Sequence, residues 1–307
     1  MAGFIVKNRN HITIGLAVCL LFAFSVRMAN AQDSYQSEIS ADYYRSDDKD
    51  HNTNSNYALN AKIHLSPVST AGHPFAEAAF LERIGNVQAF VIQSDFKSSS
   101  GIEASRSSYG AALTYAKPDL PVVLQATYSK RKGELKSPAS GEATADTYGL
   151  GLAYFLDKNL LAGIKYTESE PIIINGTTPA SASISKGTSK TKHYSLTAKY
   201  VKEHGDGTAY NIEGLLGVTE IDYSSKKSNR TYGIAGDYYF NQKFSLGGGL
   251  TLDTGDNKSS EGKTVSLGVT AFLNQQFAVI IGFNKFNADN DQGRDRDSYN
   301  VTMLLRF

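Results

Sequence analysis

The chain has 307 residues, 41 % hydrophobic and 20 % charged, with a formal net charge of +1, one Cys and no Trp. So balanced a charge excludes a general nucleic-acid binder, which carries a Lys/Arg excess. The apolar content excludes a disordered chain, the single Cys excludes a disulfide framework or a Cys-rich metal site, and helical membrane spans are excluded because no apolar run of about 18 residues follows the N-terminus.

Residues 1–31 read as a secretory signal peptide. Lys7 and Arg9 precede an apolar stretch from Ile12 to Phe24, and Ala29-Asn30-Ala31 places small residues where a cut before Gln32 needs them. Leu16-Ala17-Val18-Cys19 has the outline of a lipoprotein box, but Val18 is too bulky for the residue before a lipidated Cys, so lipidation is not expected. Cleavage would remove Lys7, Arg9 and Arg27 and no acid, leaving 28 basic and 30 acidic residues and no cysteine.

From Tyr35 onward the dominant signal is alternation with a period of two, as in strands whose successive side chains point to opposite faces. An eight-residue unit, usually with Tyr at its second position, recurs at Asn56–Ile63, Ser108–Tyr115, Thr147–Tyr154, His193–Tyr200, Thr231–Tyr238 and Thr264–Ala271. Short connections fall at 117–121, 157–159, 241–243 and 274–276, and somewhat longer ones at 67–74 and 202–208. Longer loops rich in Asp, Asn, Ser, Lys and Gly fall at 46–55, 97–107, 133–146, 171–191, 254–262 and 288–297, with a brief one near 224–229. Short turns alternating with long loops over an even number of strands, about 14 here, is the asymmetry of outer-membrane barrels.

Aromatic residues mark both ends of the apolar face. Tyr57, Tyr109, Tyr148, Tyr194, Tyr232 and Tyr299 form one row, and Tyr115, Tyr154, Tyr200, Tyr238, Phe240 and Phe307 form the other. Two such rows suit two membrane–water interfaces, where a Tyr ring finds apolar contact and a wet hydroxyl. A soluble sandwich would need a second sheet over every apolar face, whereas in lipid only a closed sheet pairs all strand backbone groups. The expected fold is an all-β, closed antiparallel transmembrane barrel over residues 32–307, with about 14 strands in a range of roughly 12–16.

The faces opposite the apolar rows then line a lumen. Its acidic candidates are Glu38, Asp42, Glu77, Glu213, Asp237 and Asp253, and its basic candidates are Lys62, Arg83, Arg131, Lys165, Lys199 and Arg306. The signs balance, so weak ion selectivity is expected, since a selective pore carries a ring of one sign. Pairing of these charges across the wall is the alternative. Alternation places Glu82 toward lipid between Glu77 and Arg83, and a bulge near 83–86 would resolve this. The loop 171–191, opening on Ile172-Ile173-Ile174, either folds inward as a constriction or stays in solvent.

The ending Tyr299-x-Val301-x-Met303-x-Leu305-x-Phe307 is similar to the C-terminal signal that the barrel-assembly machinery of Gram-negative bacteria reads. The stretch Pro74-Phe75-Ala76-Glu77-Ala78-Ala79-Phe80-Leu81-Glu82-Arg83, with the repeated Tyr-Gly-x-x-x-x-Tyr strands, resembles the putative general bacterial porin family. The resemblance covers Gln32 to Phe307. It implies an outer-membrane location among lipid and lipopolysaccharide, and a water-filled pore for passive diffusion of small polar solutes and ions. No Pro-Glu-Phe-Gly-Gly constriction loop of the large trimeric porins is present, and a homo-oligomer is left open.

Enzyme chemistry finds little support. Asp48 with His51 and His204 with Asp206 sit in Asp-rich loops and read as solvated charge. There is no Gly-x-Ser-x-Gly elbow, no His-Glu-x-x-His and no P-loop. Asp289-x-Asp291-x-Gly293-x-Asp295 has calcium-like spacing without the later Glu, so no metal or cofactor is expected. A non-conducting barrel with a structural or adhesive surface role is the alternative function. A fatty-acid channel would need an N-terminal plug, for which a first strand beginning at Tyr35, the fourth residue after the predicted cut, leaves no room.

Overall fold

The computed structural model describes residues 33–137, 141–175, 182–187, 189–204, 207–222, 226–256, 261–289 and 295–307. The predicted signal peptide, Asp206, Asp291 and Gly293 lie outside them. Fourteen strands form one closed barrel. They are β1 (Ser34–Asp48), β2 (Thr53–Ser69), β3 (Asn86–Lys97), β4 (Glu103–Lys117), β5 (Leu120–Ser137), β6 (Gly141–Phe155) and β7 (Leu160–Ser169), then β10 (Thr191–Glu203), β11 (Ala209–Asp222), β12 (Lys226–Asn241), β13 (Phe244–Gly255), β14 (Gly262–Phe272), β15 (Phe277–Ala288) and β16 (Arg296–Arg306). A separate hairpin pairs β8 (Ile172–Asn175) with β9 (Ser183–Lys186), and one short helix, α1 (Ala78–Leu81), follows β2.

Each barrel strand pairs antiparallel with its neighbours, and β1 closes the ring on β16 in register from Glu38↔Arg306 to Asp48↔Arg296. Closure leaves no open edge, which is what a sheet in lipid requires. The alternation sets the two faces. In β13, Leu246, Leu250 and Leu252 point outward and are exposed, while Ser245, Gly247, Gly249, Thr251 and Asp253 point inward. Aromatic rings rim the outer face: Tyr109, Tyr148, Tyr194, Tyr232 and Tyr299 are exposed at one end, and Tyr154, Tyr238, Phe240 and Phe307 at the other.

The connections alternate as expected, with one difference. The link between β2 and β3 runs over residues 70–85, and strand β3 starts only at Asn86. Glu77 and Arg83 are therefore not wall residues, and no bulge at 83–86 is needed to aim them. Alternation fails in this stretch because Phe75, Ala78, Ala79 and Phe80 are spaced for a helical turn, and α1 forms there. Three of the buried apolar clusters lie where this link meets the wall. Ala78 and Ile84 pack with Tyr35 and Val68, Phe75 with Phe272 and Ala278, and Phe80 with Ala116, Val123 and Phe155.

Candidate pore and its periplasmic cover

In an outer-membrane barrel the short-turn end is periplasmic. The link 70–85 enters the lumen at that end and reaches the wall at three places round the ring. Its first anchor is Phe75. Its ring stands edge-on to Phe272 at 5.4 Å, its amide donates to the Gln242 carbonyl at 2.9 Å, and its own carbonyl accepts from Arg306 Nη1 at 2.8 Å.

The second anchor is Glu77, at the N-cap of α1. Its carboxylate makes no capping bond to the helix, although that is the usual use of an acid there. It is spent on strands instead. Glu77 Oε1 accepts from Asn211 Nδ2 at 2.6 Å and from the Tyr239 hydroxyl at 2.7 Å, and Lys199 Nζ lies 2.9 Å from Oε2. Lys199 also pairs with Glu213 at 2.9 Å, and Asn211 donates to Asp237 at 3.0 Å. Three neighbouring strands, β10 to β12, thus converge on one buried carboxylate.

The third anchor lies against β4 to β7. The Phe80 and Phe155 rings are 5.5 Å apart, the Arg83 guanidinium stacks 4.3 Å over Phe155, and Arg83 Nη2 donates to the Asp157 carbonyl at 3.1 Å. Arg83 takes φ 53°, which turns the chain back toward β3. Between these anchors, His73 Nδ1 lies 2.7 Å from Glu203 of β10, and its Nε2 lies 2.9 Å from Glu82 of the link. Carboxylates at both ring nitrogens require both to carry hydrogen, so this geometry belongs to the imidazolium. Burial by itself lowers the His73 pKa, but the hydrogen bonds and charges of Glu203 and Glu82 outweigh it, and the net shift is upward. With its anchors on β14–β16, β10–β12 and β4–β7, the link crosses the periplasmic mouth from wall to wall.

The extracellular end is also narrowed. The β8–β9 hairpin lies on the inner face of β4 to β6, with Ile184 packed among Ile102, Ala104 and Leu135. A Cβ on Gly133 would sit 2.9 Å from both Ile172 and Ile184, and one on Gly141 would sit 2.9 Å from Ile184, so glycine gives the hairpin its seat. Arg131 Nη2 fixes its base by donating to the Glu170 carbonyl at 2.8 Å. Of the two readings of loop 171–191, its described part takes the inward one. Beside the hairpin a cavity of about 870 Å³ remains, lined in part by Tyr44, Asn56, Ser94, Phe96, Arg106 and Arg296.

The structure places the other sequence candidates as follows. Glu38, Lys62 and Arg306 meet near the periplasmic end, with Lys62 Nζ 2.9 Å and Arg306 Nη2 3.2 Å from Glu38. His64 joins them, its Nε2 3.4 Å from Glu38. Asp42 accepts from Asn60 and Thr302, and Asp253 accepts from Thr231. Lys165 faces inward with no carboxylate partner among the described residues. Arg106 and Arg296 also face inward and were missed because both sit at strand ends, inside stretches read as loops. At the outer wall, Tyr299, Met303 and Phe307 of the terminal signal are exposed toward lipid. Of the calcium-like loop, Asp289 and Asp295 are described, and Asp295 pairs with Lys49.

A closed barrel with an aromatic-edged apolar exterior and a hydrophilic interior defines a bacterial outer-membrane channel. Residues 11–307 match the sequence profile of the putative general bacterial porin family, and the chain belongs to that family. Among similar solved structures, the outer membrane protein Omp33 of Acinetobacter baumannii is 19 % identical with a TM-score of 0.58, over 90 % of this chain and 100 % of that one. The Pseudomonas putida toluene transporter TodX is 10 % identical with a TM-score of 0.51, over 90 % of this chain and 89 % of that one. At such identities the likeness is one of fold. A search of curated proteins finds no match.

Proposed function

We propose that this chain is a gated porin. It conducts small hydrophilic solutes and ions by passive diffusion, and the link 70–85 is the gate. The carrying observation is the Glu77 anchor: a polar, non-covalent attachment holds a chain segment across the mouth of an otherwise hydrophilic tube. Fourteen strands enclose more room than the eight whose interior side chains can fill a barrel. Transport through it needs no covalent step and no cofactor.

The flanking expectations belong to the same reading. Residues 1–31 direct export and are cleaved. Tyr299, Val301, Met303, Leu305 and Phe307 present the assembly signal, supported by the place of the first four on the outward face of β16 and of Phe307 just past its end. The aromatic rows seat the barrel among lipid and lipopolysaccharide. A non-conducting structural or adhesive barrel is the second reading, and the covered mouth is the observation in its favour.

Single-channel recording of the refolded chain in a planar bilayer, with a salt gradient, separates the two. Stepwise currents that switch between closed and open levels are expected. Silence from a folded, heat-modifiable barrel, persisting after Glu77→Ala, would overturn the porin reading in favour of the structural one.

A further inference from the structure

The inward-facing charges are balanced in number but not in place. Above the cover, the strands from β3 to β10 contribute Arg106 on β4, Arg131 on β5 and Lys165 on β7. None has a carboxylate within ion-pair distance among the described residues, and these strands aim no acid into the lumen there. The one inward acid of this arc, Glu203, lies at the periplasmic rim and is held by His73.

The other arc carries the opposite sign. Asp42 on β1 and Asp253 on β13 are held only by neutral donors, from Asn60 and Thr302 and from Thr231 respectively, while Asp237 on β12 shares Asn211 with the Glu77 anchor at the cover. Two cations of this arc, Lys62 and Arg306, are committed to Glu38, and Arg296 stacks 4.7 Å over Phe286. In the ring order β13 stands seven strands from β4, directly across the barrel, so Asp253 and Arg106 belong to facing walls. Asp42 stands six strands from Lys165.

Two facing walls of opposite sign set a field across the lumen, focused by the low-dielectric membrane around it. A field of this kind cancels for a simple ion drifting along the axis, because attraction to one wall is matched by repulsion from the other. It does not cancel for a molecule that carries both signs a few ångströms apart. Such a molecule turns its carboxylate to the Arg106–Arg131–Lys165 wall and its ammonium to the Asp42–Asp253 wall.

We propose that the lumen is a zwitterion selector, favouring solutes of amino-acid size over neutral molecules of the same size, with Arg106, Arg131, Lys165, Asp42 and Asp253 as its specificity determinants. The proposal rests on the porin reading above. It is tested by osmotic swelling of liposomes holding the refolded chain, comparing β-alanine with its uncharged isomer lactamide. β-Alanine is expected to enter faster by about threefold or more. Lys165→Gln or Asp253→Asn is expected to bring that ratio toward one while leaving lactamide entry unchanged. Equal entry of the two solutes in the wild type, or a ratio that survives both substitutions, would overturn the selector while leaving the pore. Entry of neither solute, in the wild type and in Glu77→Ala alike, would overturn the porin reading and the selector with it.

Discussion

The Tyr239 hydroxyl donates to the Glu77 carboxylate at 2.7 Å, although 162 residues separate them in the chain. Tyr239 is fixed on β12, whereas Glu77 belongs to a link with strand pairing on neither side. The contact ties the link to the barrel wall. Asn211 and Lys199 meet the same carboxylate, so one side chain gathers the attachment to three strands.

Replacing Glu77 with Ala leaves Asn211, Tyr239 and Lys199 facing a gap, with Lys199 still paired to Glu213. A buried charge-assisted hydrogen bond contributes about 1.5–3 kcal/mol, so the cover should be released at least tenfold more often. Single-channel recording should show longer open times, with an unchanged temperature of the gel shift that reports barrel unfolding. Unchanged gating would mean that Glu77 does not hold the gate.

His73 supplies a pH dependence. Its pKa is raised above the ordinary 6.5 in the seated cover, so the attachment to Glu203 and Glu82 is fully present below that ordinary value. It is lost as pH rises through the raised value. Open probability should therefore climb between weakly acidic and alkaline pH, and His73→Gln should flatten the curve. A rise toward acid pH instead would contradict the sign.

Arg306 serves both the barrel seam and the cover. It pairs with Glu38 across β1 and β16, donates to the Phe75 carbonyl, and stacks 4.1 Å over Tyr35. Arg306→Met keeps the bulk and removes the charge, and breaking one side of a buried pair costs about 3–5 kcal/mol. We expect a lower unfolding temperature together with more frequent opening, two effects that Glu77→Ala separates.

Ile184 holds the extracellular hairpin against Gly133 and Gly141. Ile184 is half-buried, so Ile184→Ala removes part of the packing worth about 2–5 kcal/mol in a fully buried site and loosens the hairpin on the wall. Solute entry in Glu77→Ala liposomes should rise further when Ile184→Ala is added, with barrel stability unchanged. No additional entry would show that the hairpin does not limit passage.

The barrel was legible in the sequence because strand alternation is a local property. Lipid selects Leu246, Leu250 and Leu252 for the outer face whatever lies across the lumen, and the Tyr rows mark where each strand leaves the membrane. The inner positions of Lys165, Asp253 and Arg306 follow from the same count by two. The decapeptide 74–83 resisted this reading. Its residues break the alternation, and an eye set on strands turns the break into a bulge, when the spacing of Phe75, Ala78 and Phe80 signals a helical turn.

The sequence by itself determined a closed strand barrel, its sidedness and those inward charges that lie well inside a strand, since period, composition and turn length each act within one or two neighbouring strands. Only the tertiary structure decided which of those charges are consumed and which remain. Glu38 takes Arg306 as a second partner, beside Lys62 of the adjacent β2, because ring closure brings β16 next to β1. Glu77 is neutralised by β10 because the link crosses the lumen. Partnerships made across a closed ring depend on chain separations that no local pattern records, and those partnerships turn a barrel of balanced charge into one with a covered mouth and two oppositely charged walls.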